Sequence, residues 1–533
     1  VSAGALSVLA MAPFFAWPVL FLTLPVLVYL IDAARDGAVR RPHAQAAAIT
    51  WLFGFGYFLA GLFWIGEAFL VEADKFAALM PFAVMAMPAG LALFWAAAAA
   101  AASVVWCPGP GRVVVLAIAL TVAEWLRGHI LTGFPWNVLG YALTAPETLM
   151  QSASVFGIYG LTLVTVVTLG LPGVVLADRW SAGSGPGRPS MRGVVLAASG
   201  SILALVVMTG WGSYRLSGVP PPANAAVRMR LVQPSIPQRH KWQVEKQADN
   251  FRSHLELSRR NAAGVVDDAR EIDLIVWPEA AMPFLPLDTP GALEAIGSIV
   301  PEGAFLAAGL LRVEAVPPGM PGRRRRVLNS LAAFDADGRP VAVYDKTHLV
   351  PFGEYLPFQQ TLESIGLEQL TRIRGGFDVG PTPRPLMRIG GLPPLAPLIC
   401  YEAIFPGTVV QSKERPAALL NVTNDGWFGN TTGPRQHLHQ ARVRAVEEGI
   451  PVIRSANNGI SAVVDAHGRI VARLDLDVAG TVDVTLPGVL APPVYARFGD
   501  GLLLVMLVLS IAVLLRQRPS IDEGDEGHSG RSE

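Results

Sequence analysis

A membrane-embedded α-helical bundle of about eight spans, carrying an α/β domain, is the fold class the sequence predicts. Three observations predict it. Hydrophobic residues make up 52% of the 533 and charged residues only 16%, against about 25% charged in a soluble domain. The deficit is uneven: residues 1–215 form a candidate transmembrane bundle of long apolar runs, 225–490 have the mix of an ordinary globular domain, and a last apolar run covers 499–516. Within 225–490, short apolar strands alternate with helices, the pattern of a layered α/β domain.

A spanning helix needs roughly 20 mostly apolar residues. Candidates lie at about 3–16, 17–32, 46–70, 77–105, 113–131, 151–177, 192–212 and 499–516, the first being short, with Pro13 and Pro18 where it meets the second. No small-residue cleavage site follows the first run, so it is read as a span and not as a signal peptide. Lys and Arg in short loops set the orientation. Arg35, Arg40 and Arg41 follow the second span, Arg112 the fourth, Arg179, Arg188 and Arg192 the sixth, and Arg516 and Arg518 the eighth. Under alternation these share one side, the cytoplasm. Residues 225–490 then face the periplasm of a two-membrane cell, and the tail 517–533 is cytoplasmic.

Two features at the spans admit two readings each. Glu124 and Arg127 share a helical face, as a structural ion pair or as a substrate contact. Gly133-Phe134-Pro135-Trp136-Asn137 lies just outside the fifth span, as an interfacial aromatic anchor or as the lipid-facing lip of a site.

In the α/β part, strands are expected at 227–233, 272–277, 304–309, 328–334, 341–345, 395–400, 417–422, 451–455, 460–465 and 470–474, and helices at 242–262 and 434–448. Asp337-Gly338 and His467-Gly468 read as hairpin turns. Residues 480–498 lead back to the last span, and the run Arg323 to Arg326 reads as a solvated loop.

Three segments share a design: an apolar strand ending in a chemically capable residue, where α/β sheets place their sites. In Ile275-Val276-Trp277-Pro278-Glu279, Pro278 stops the ladder and Glu279 follows at once. A carboxylate beside an apolar strand end serves as a proton acceptor; a surface glutamate at a loop start is the bland alternative. Lys346 follows the strand in Tyr344-Asp345-Lys346-Thr347-His348, as a fixed ammonium for an oxyanion or as a solvated lysine. Glu354, eight residues on, is placed either to orient Lys346 or to help with protons, and His348 is either structural or a base. Cys400 ends the run Leu398-Ile399. Burial is the usual role of such a cysteine, but an unpaired thiol on the outer side of a membrane is a candidate nucleophile. Tyr401 offers the next backbone N–H, and Glu402 follows it.

Other classes find little support. The formal net charge is +0, which gives no footprint for nucleic acid. The two cysteines, Cys107 and Cys400, fall in different parts of the chain, so no disulfide framework is implied. His437 and His439 lack a third ligand at zinc spacing, and there is no G-x-S-x-G, P-loop or dinucleotide fingerprint. A transporter would favour more than the Glu124–Arg127 pair in its spans.

Glu279 in WPEA, Lys346 in YDKTHLVPFGEYLP and Cys400 in ICYE resemble, in that order, the Glu-Lys-Cys triad of the nitrilase, or carbon-nitrogen hydrolase, superfamily. NVTNDGWFG at Asn421 to Gly429 and RSANNG at Arg454 to Gly459 are similar to later loops of that family. The span-rich frame, FPW at Phe134 to Trp136, VQPSIPQ at Val232 to Gln238 followed by Trp242, PFGEYLP, and GPRQH at Gly433 to His437 narrow the resemblance to the apolipoprotein N-acyltransferase branch, over nearly the whole chain.

The resemblance implies an α-β-β-α sandwich on a bundle in the bacterial inner membrane, acting as a monomer without cofactor or metal. It implies transfer of a fatty acyl chain from a phospholipid, phosphatidylethanolamine above all, to the α-amino group of the S-diacylglyceryl cysteine of an apolipoprotein, through a thioester on Cys400. Glu279 is then the base, Lys346 and the Tyr401 N–H the oxyanion donors, and Glu354 and Glu402 their supports. Phe134, Trp136, Trp242, Phe352, Tyr355, Leu356 and Phe358 are expected either to guide lipid chains or to pack in the core. The rival reading on the same triad is a membrane-tethered amidase or nitrilase that uses water.

Overall fold

The computed structural model describes residues 1–35, 40–181, 189–218, 227–267, 269–315, 325–364, 366, 368–371, 373 and 375–516. The tail 517–533, and Arg188, Arg323, Arg324 and Arg518, lie outside the described residues.

The bundle is built from α1 (Leu20–Arg35), α2 (Pro42–Leu62), α3 (Met80–Val104), α4 (Gly111–His129), α5 (Ala153–Ser181) and α6 (Met191–Ser217). Five helical stretches among the described residues are long and apolar enough to cross a membrane: Trp17–Arg35, Pro42–Leu70, Ala73–Val104, Ala153–Trp180 and Met191–Ser217. Helix α4 has 19 residues but carries Arg112, Glu124 and Arg127. Helix α6 leaves Leu196, Ile202, Leu203, Val206 and Val207 exposed, an apolar stripe that water would not tolerate and lipid would cover.

The expected first span does not form. Residues 2–16 hold only the helix Ser2–Ser7 and the 3₁₀ turn Val8–Ala10. Pro13 has no N–H to extend the ladder, and Phe15 takes φ +53°, which turns the chain away from a helical path. Six helical residues rise about 9 Å, far short of a bilayer.

The second domain is two mixed sheets face to face. One contains β1 (Arg228–Gln233), β2 (Leu274–Val276), β3 (Phe305–Ala315), β4 (Arg325–Phe334), β5 (Pro340–Asp345) and, at its far edge, β11 (Gly480–Thr485), in the order β11-β1-β2-β3-β4-β5. The other contains β6 (Leu395–Ile399), β7 (Ala418–Thr423), β8 (Val452–Ala456), β9 (Ser461–Val464) and β10 (Ile470–Leu474), in the order β10-β9-β8-β7-β6. The hairpins at Asp337-Gly338 and His467-Gly468 join antiparallel neighbours, as expected. Strand β11 falls where only a connection was expected. It pairs antiparallel with β1, and Asp483 in it accepts from the buried Arg230 at 2.7 Å. Its pairing is with a strand far away in sequence, which no local pattern announces.

Alternation along the strands builds the layers. Leu231, Val276, Ala307, Leu331 and Ala333 point into the space between the sheets with Leu420, Val422, Ile453 and Val463. Their neighbours Val232, Ile275, Leu306, Ala308, Ala332 and Phe334 point outward, where Phe251 and Leu255 of α7 (Gln247–Ser258) cover them. On the other side, Leu398, Leu419, Val452 and Val464 meet Leu438, Ala441 and Ala445 of α8 (Gly433–Glu448). The result is an α-β-β-α sandwich. The inter-sheet core continues without a break into the bundle, and α9 (Gly501–Arg516) brings the chain back to it.

Candidate active site

Sheet direction gathers the three candidate residues. Strands β3, β4 and β5 are successively antiparallel, so β5 runs the same way as β2, and Glu279 and Lys346 leave the sheet at the same edge. Strand β3 contributes a gap. A Cβ on Gly309 would lie 2.5 Å from the Glu279 Cα. With only hydrogen there, the turn after β2 folds across β3: the Gly309 N–H donates to the Pro278 carbonyl at 3.2 Å, and the Ala281 N–H to the Gly309 carbonyl at 2.8 Å. Glu279 thereby reaches β4, where the Asn329 amide donates to its Oε1 at 2.9 Å.

Lys346 Nζ is buried between two carboxylates, 2.9 Å from Glu354 Oε1 and 3.7 Å from Glu279 Oε1. Asn329 also donates to Glu354, at 2.8 Å, and the Val350 N–H holds the second Glu354 oxygen at 2.8 Å. Burial alone would lower the Lys346 ammonium, but Glu354 and then Glu279 outweigh it and raise it, so it stays a cation.

Cys400 follows β6 in the left-handed region, φ +52°, at the start of a 3₁₀ turn Cys400–Ile404. Such a conformation is strained for a residue with a Cβ and presents the side chain away from the strand. Burial pushes the thiol well up, Glu279 adds to this, and Lys346 opposes it. The resting sulfur is therefore protonated, and it feels the charge of both partners. Glu402 holds the turn. It is fully buried, accepts from the Tyr344 hydroxyl and from the N–H groups of Thr347, His348 and Ile399 at 2.8 to 3.0 Å, and pairs with Arg384 at 3.1 Å.

The loops similar to the later family motifs lie beneath Cys400. Asp425 pairs with Arg454 at 2.7 Å, and Arg454 Nη2 lies 3.1 Å from His437 Nδ1. His437 Nε2 lies 3.2 Å from the Cys400 carbonyl oxygen, and its Nδ1 lies 3.0 Å from Asp425 Oδ1. Burial, then Arg454, lowers His437, and Asp425 opposes them. His437 thus braces the turn that carries Cys400. His439 bonds Thr144 at 2.7 Å.

The bundle supplies the floor. Arg127 pairs with Glu124, both buried, and donates to the carbonyls of Phe134 and Trp136. The ion pair is structural, and what it organises is the Phe134-Pro135-Trp136 loop. From that loop the Gly133 carbonyl accepts from the Tyr401 hydroxyl at 2.7 Å, and Phe134 stacks on Tyr401. Trp136 is buried and donates to Gln436 of α8 at 2.7 Å. Leu356 is buried, Tyr355 half-buried, and Trp242, Phe352 and Phe358 are 41%, 58% and 85% exposed. His348 stacks on Phe405 at 4.0 Å and touches neither Lys346 nor Glu279 by any hydrogen bond.

Two residues of the site escaped the sequence reading. Asn329 bridges both carboxylates; a lone amide inside the apolar run Val327-Leu328-Asn329-Ser330-Leu331 is the signal that points to it. Lys241 donates to the Glu279 backbone carbonyl at 2.9 Å. Its basic surroundings, Arg239-His240-Lys241, disguise it as an exposed residue.

Residues 3–171 match the apolipoprotein N-acyltransferase N-terminal domain, and residues 228–491 match the carbon-nitrogen hydrolase family. Apolipoprotein N-acyltransferases of Rhodopseudomonas palustris and Bradyrhizobium diazoefficiens are 48% and 46% identical, with 97% of this chain and 94% of each relative covered. That of Rhizobium meliloti is 44% identical over 91% of this chain and 89% of its own. The chain belongs to the apolipoprotein N-acyltransferase family. An apolipoprotein N-acyltransferase is an acyltransferase with a nitrilase-like domain on apolar helices, which is the architecture found here. A tethered amidase would share the match over 228–491; the match over the bundle favours the acyltransferase.

Proposed function

We propose that this enzyme takes a fatty acyl chain from a membrane phospholipid, phosphatidylethanolamine above all, and transfers it through a thioester on Cys400 to the α-amino group of the diacylated cysteine that begins an apolipoprotein. The observation that carries this reading is a buried ammonium, Lys346, between Glu279 and Glu354 and coupled to the Cys400 thiol.

A thiol pushed up by burial needs a base. Glu279 takes the Sγ proton, and the sulfur attacks the ester carbonyl carbon. Lys346 and the Tyr401 N–H stabilise the oxyanion; one such donor is worth about 3 kcal/mol. The tetrahedral intermediate breaks its bond to the glycerol oxygen, Glu279 returns the proton to that oxygen, and a lysophospholipid leaves. The acceptor amine then attacks the thioester carbon, Glu279 accepts an amine proton, and the departing sulfur takes it back as the amide forms. Glu354 orients Lys346 and Glu402 orders the turn.

Both substrates are anchored in lipid, so the thiol has to work at the membrane surface. In this reading residues 1–215 lie in the bacterial inner membrane, with α1 to α6 and, at 499–516, α9 as crossings. Residues 225–490 face the periplasm, 517–533 the cytoplasm, and the protein acts as a monomer. Exposed Trp242, Phe352 and Phe358 are suited to guiding acyl chains. Phe134 and Tyr355 line the approach, whereas Trp136 and Leu356 pack.

Intact-mass analysis after incubation with phosphatidylethanolamine vesicles tests the scheme. The expected result is one acyl chain on Cys400, discharged by a diacylated lipopeptide. An adduct that persists in Cys400→Ala, or that water alone discharges at the same rate, overturns it.

A further inference from the structure

Lys241 ends the short helix Gln238–Lys241 and is 2% exposed. Its Nζ donates to the backbone carbonyl of Glu279 at 2.9 Å. The titratable groups coupled to it come from three other elements: Glu279 after β2, Cys400 after β6, and His254 of α7. Lys346 lies beyond Glu279, 3.7 Å from that carboxylate. Burial pushes the Lys241 ammonium down to about 8, while Glu279 and Cys400 pull it up. Burying an ammonium is costly where packing alone is needed, since methionine has the length without the charge. Charge gives the better account. Glu279 and Glu354 are two buried carboxylates, and Lys346 balances only one of them. With Lys241 the site is neutral at rest, and it stays neutral when the proton moves from Cys400 to Glu279.

We propose that Lys241 is a positioning residue of the acylation step: it pins the Glu279 backbone so that the carboxylate faces Asn329 and Lys346, and its charge favours the Cys400 thiolate as Glu279 becomes neutral. The inference rests on the triad reading above.

The test uses the full-length enzyme in a Cys107→Ser background, so that Cys400 alone reports. Two quantities are read for wild type, Lys241→Met and Lys241→Arg: the rate of single-turnover thioester formation against pH, and the rate of alkylation by iodoacetamide at about pH 7, where Lys241 carries its proton. Lys241→Met is expected to slow thioester formation about tenfold or more and alkylation at about pH 7 about tenfold. Lys241→Arg restores the alkylation rate. The wild-type acylation rate falls above about pH 8, where Lys241 loses its proton, and this fall is absent in Lys241→Arg. Should Lys241→Met not fold, Lys241→Gln, which keeps a donor for the carbonyl but no charge, carries the same expectation. Wild-type rates of both reactions in the uncharged variant, or equal losses of acylation in Met and Arg with alkylation at that pH unchanged, overturn the proposal. A wild type that forms no thioester on Cys400 overturns the triad reading instead, while alkylation at that pH still reads the charge of Lys241.

Discussion

At the scale of single residues, the site is a set of buried charges that hold one another in place. Replacing Glu279 by Gln keeps the shape and the Asn329 contact but removes the proposed base. Phospholipid binding should survive and thioester formation should fall by about a hundredfold or more; an unchanged single-turnover rate would remove Glu279 from the scheme. Glu402 illustrates the electrostatics of the turn. Burial would raise its carboxyl, but Arg384 and the Ile399 N–H outweigh this and hold it below its usual value. A carboxyl lowered by folding stabilises the protein above its unfolded value, and that contribution is lost as pH falls through the folded one. Glu402→Gln should therefore cost about 3 kcal/mol at neutral pH. In thermal unfolding the gap to wild type should begin to narrow below about pH 4 and go on closing as pH falls through the folded value.

At the scale of elements, the decisive device is the passage of one turn across one strand. A methyl group on Gly309 would meet the Pro278 carbonyl oxygen at 2.7 Å and the Glu279 Cα still closer. Gly309→Ala should displace Glu279 from Asn329, so that acylation falls far more, about a hundredfold, than unfolding temperature does. Equal loss of both would mean a general packing defect. The elements themselves were legible wherever a local period existed. β1, β4 and α8 stand within a few residues of expectation because their apolar spacing is their own. β11 was not, because Gly480–Thr485 acquires its strand character from β1 and from Arg230. Nor was the failure of residues 3–16 as a span, since apolar content says nothing of the turn that Phe15 makes.

At the scale of the molecule, the catalytic domain is tied to the bundle by polar contacts inside an apolar seam. Gln436 accepts from both Trp64 and Trp136, at 3.2 and 2.7 Å, and the Ile158 N–H donates to Glu447 at 2.9 Å. The turn that carries Cys400 is thereby joined to the bundle through one continuous apolar core. The proposed orientation places Cys107, in the connection between α3 and α4, on the side away from Cys400. In the Cys400→Ala variant, a membrane-impermeant maleimide should label Cys107 in lysed membranes and not in intact spheroplasts. Labelling of intact spheroplasts would reverse the topology.

The contrast in apolar content between residues 1–215 and 225–490, the strand ends that carry Glu279, Lys346 and Cys400, and the family resemblance were legible in the sequence alone, because apolar length, alternation and short motifs are local properties. Only the tertiary structure decided that Asn329 and Lys241 both touch Glu279, that Arg127 shapes the loop under Tyr401, and that Trp136 is packed while Phe358 is exposed. Those facts depend on which buried polar group finds which partner across the sheets and the seam, and a partner distant in sequence leaves no pattern beside either residue.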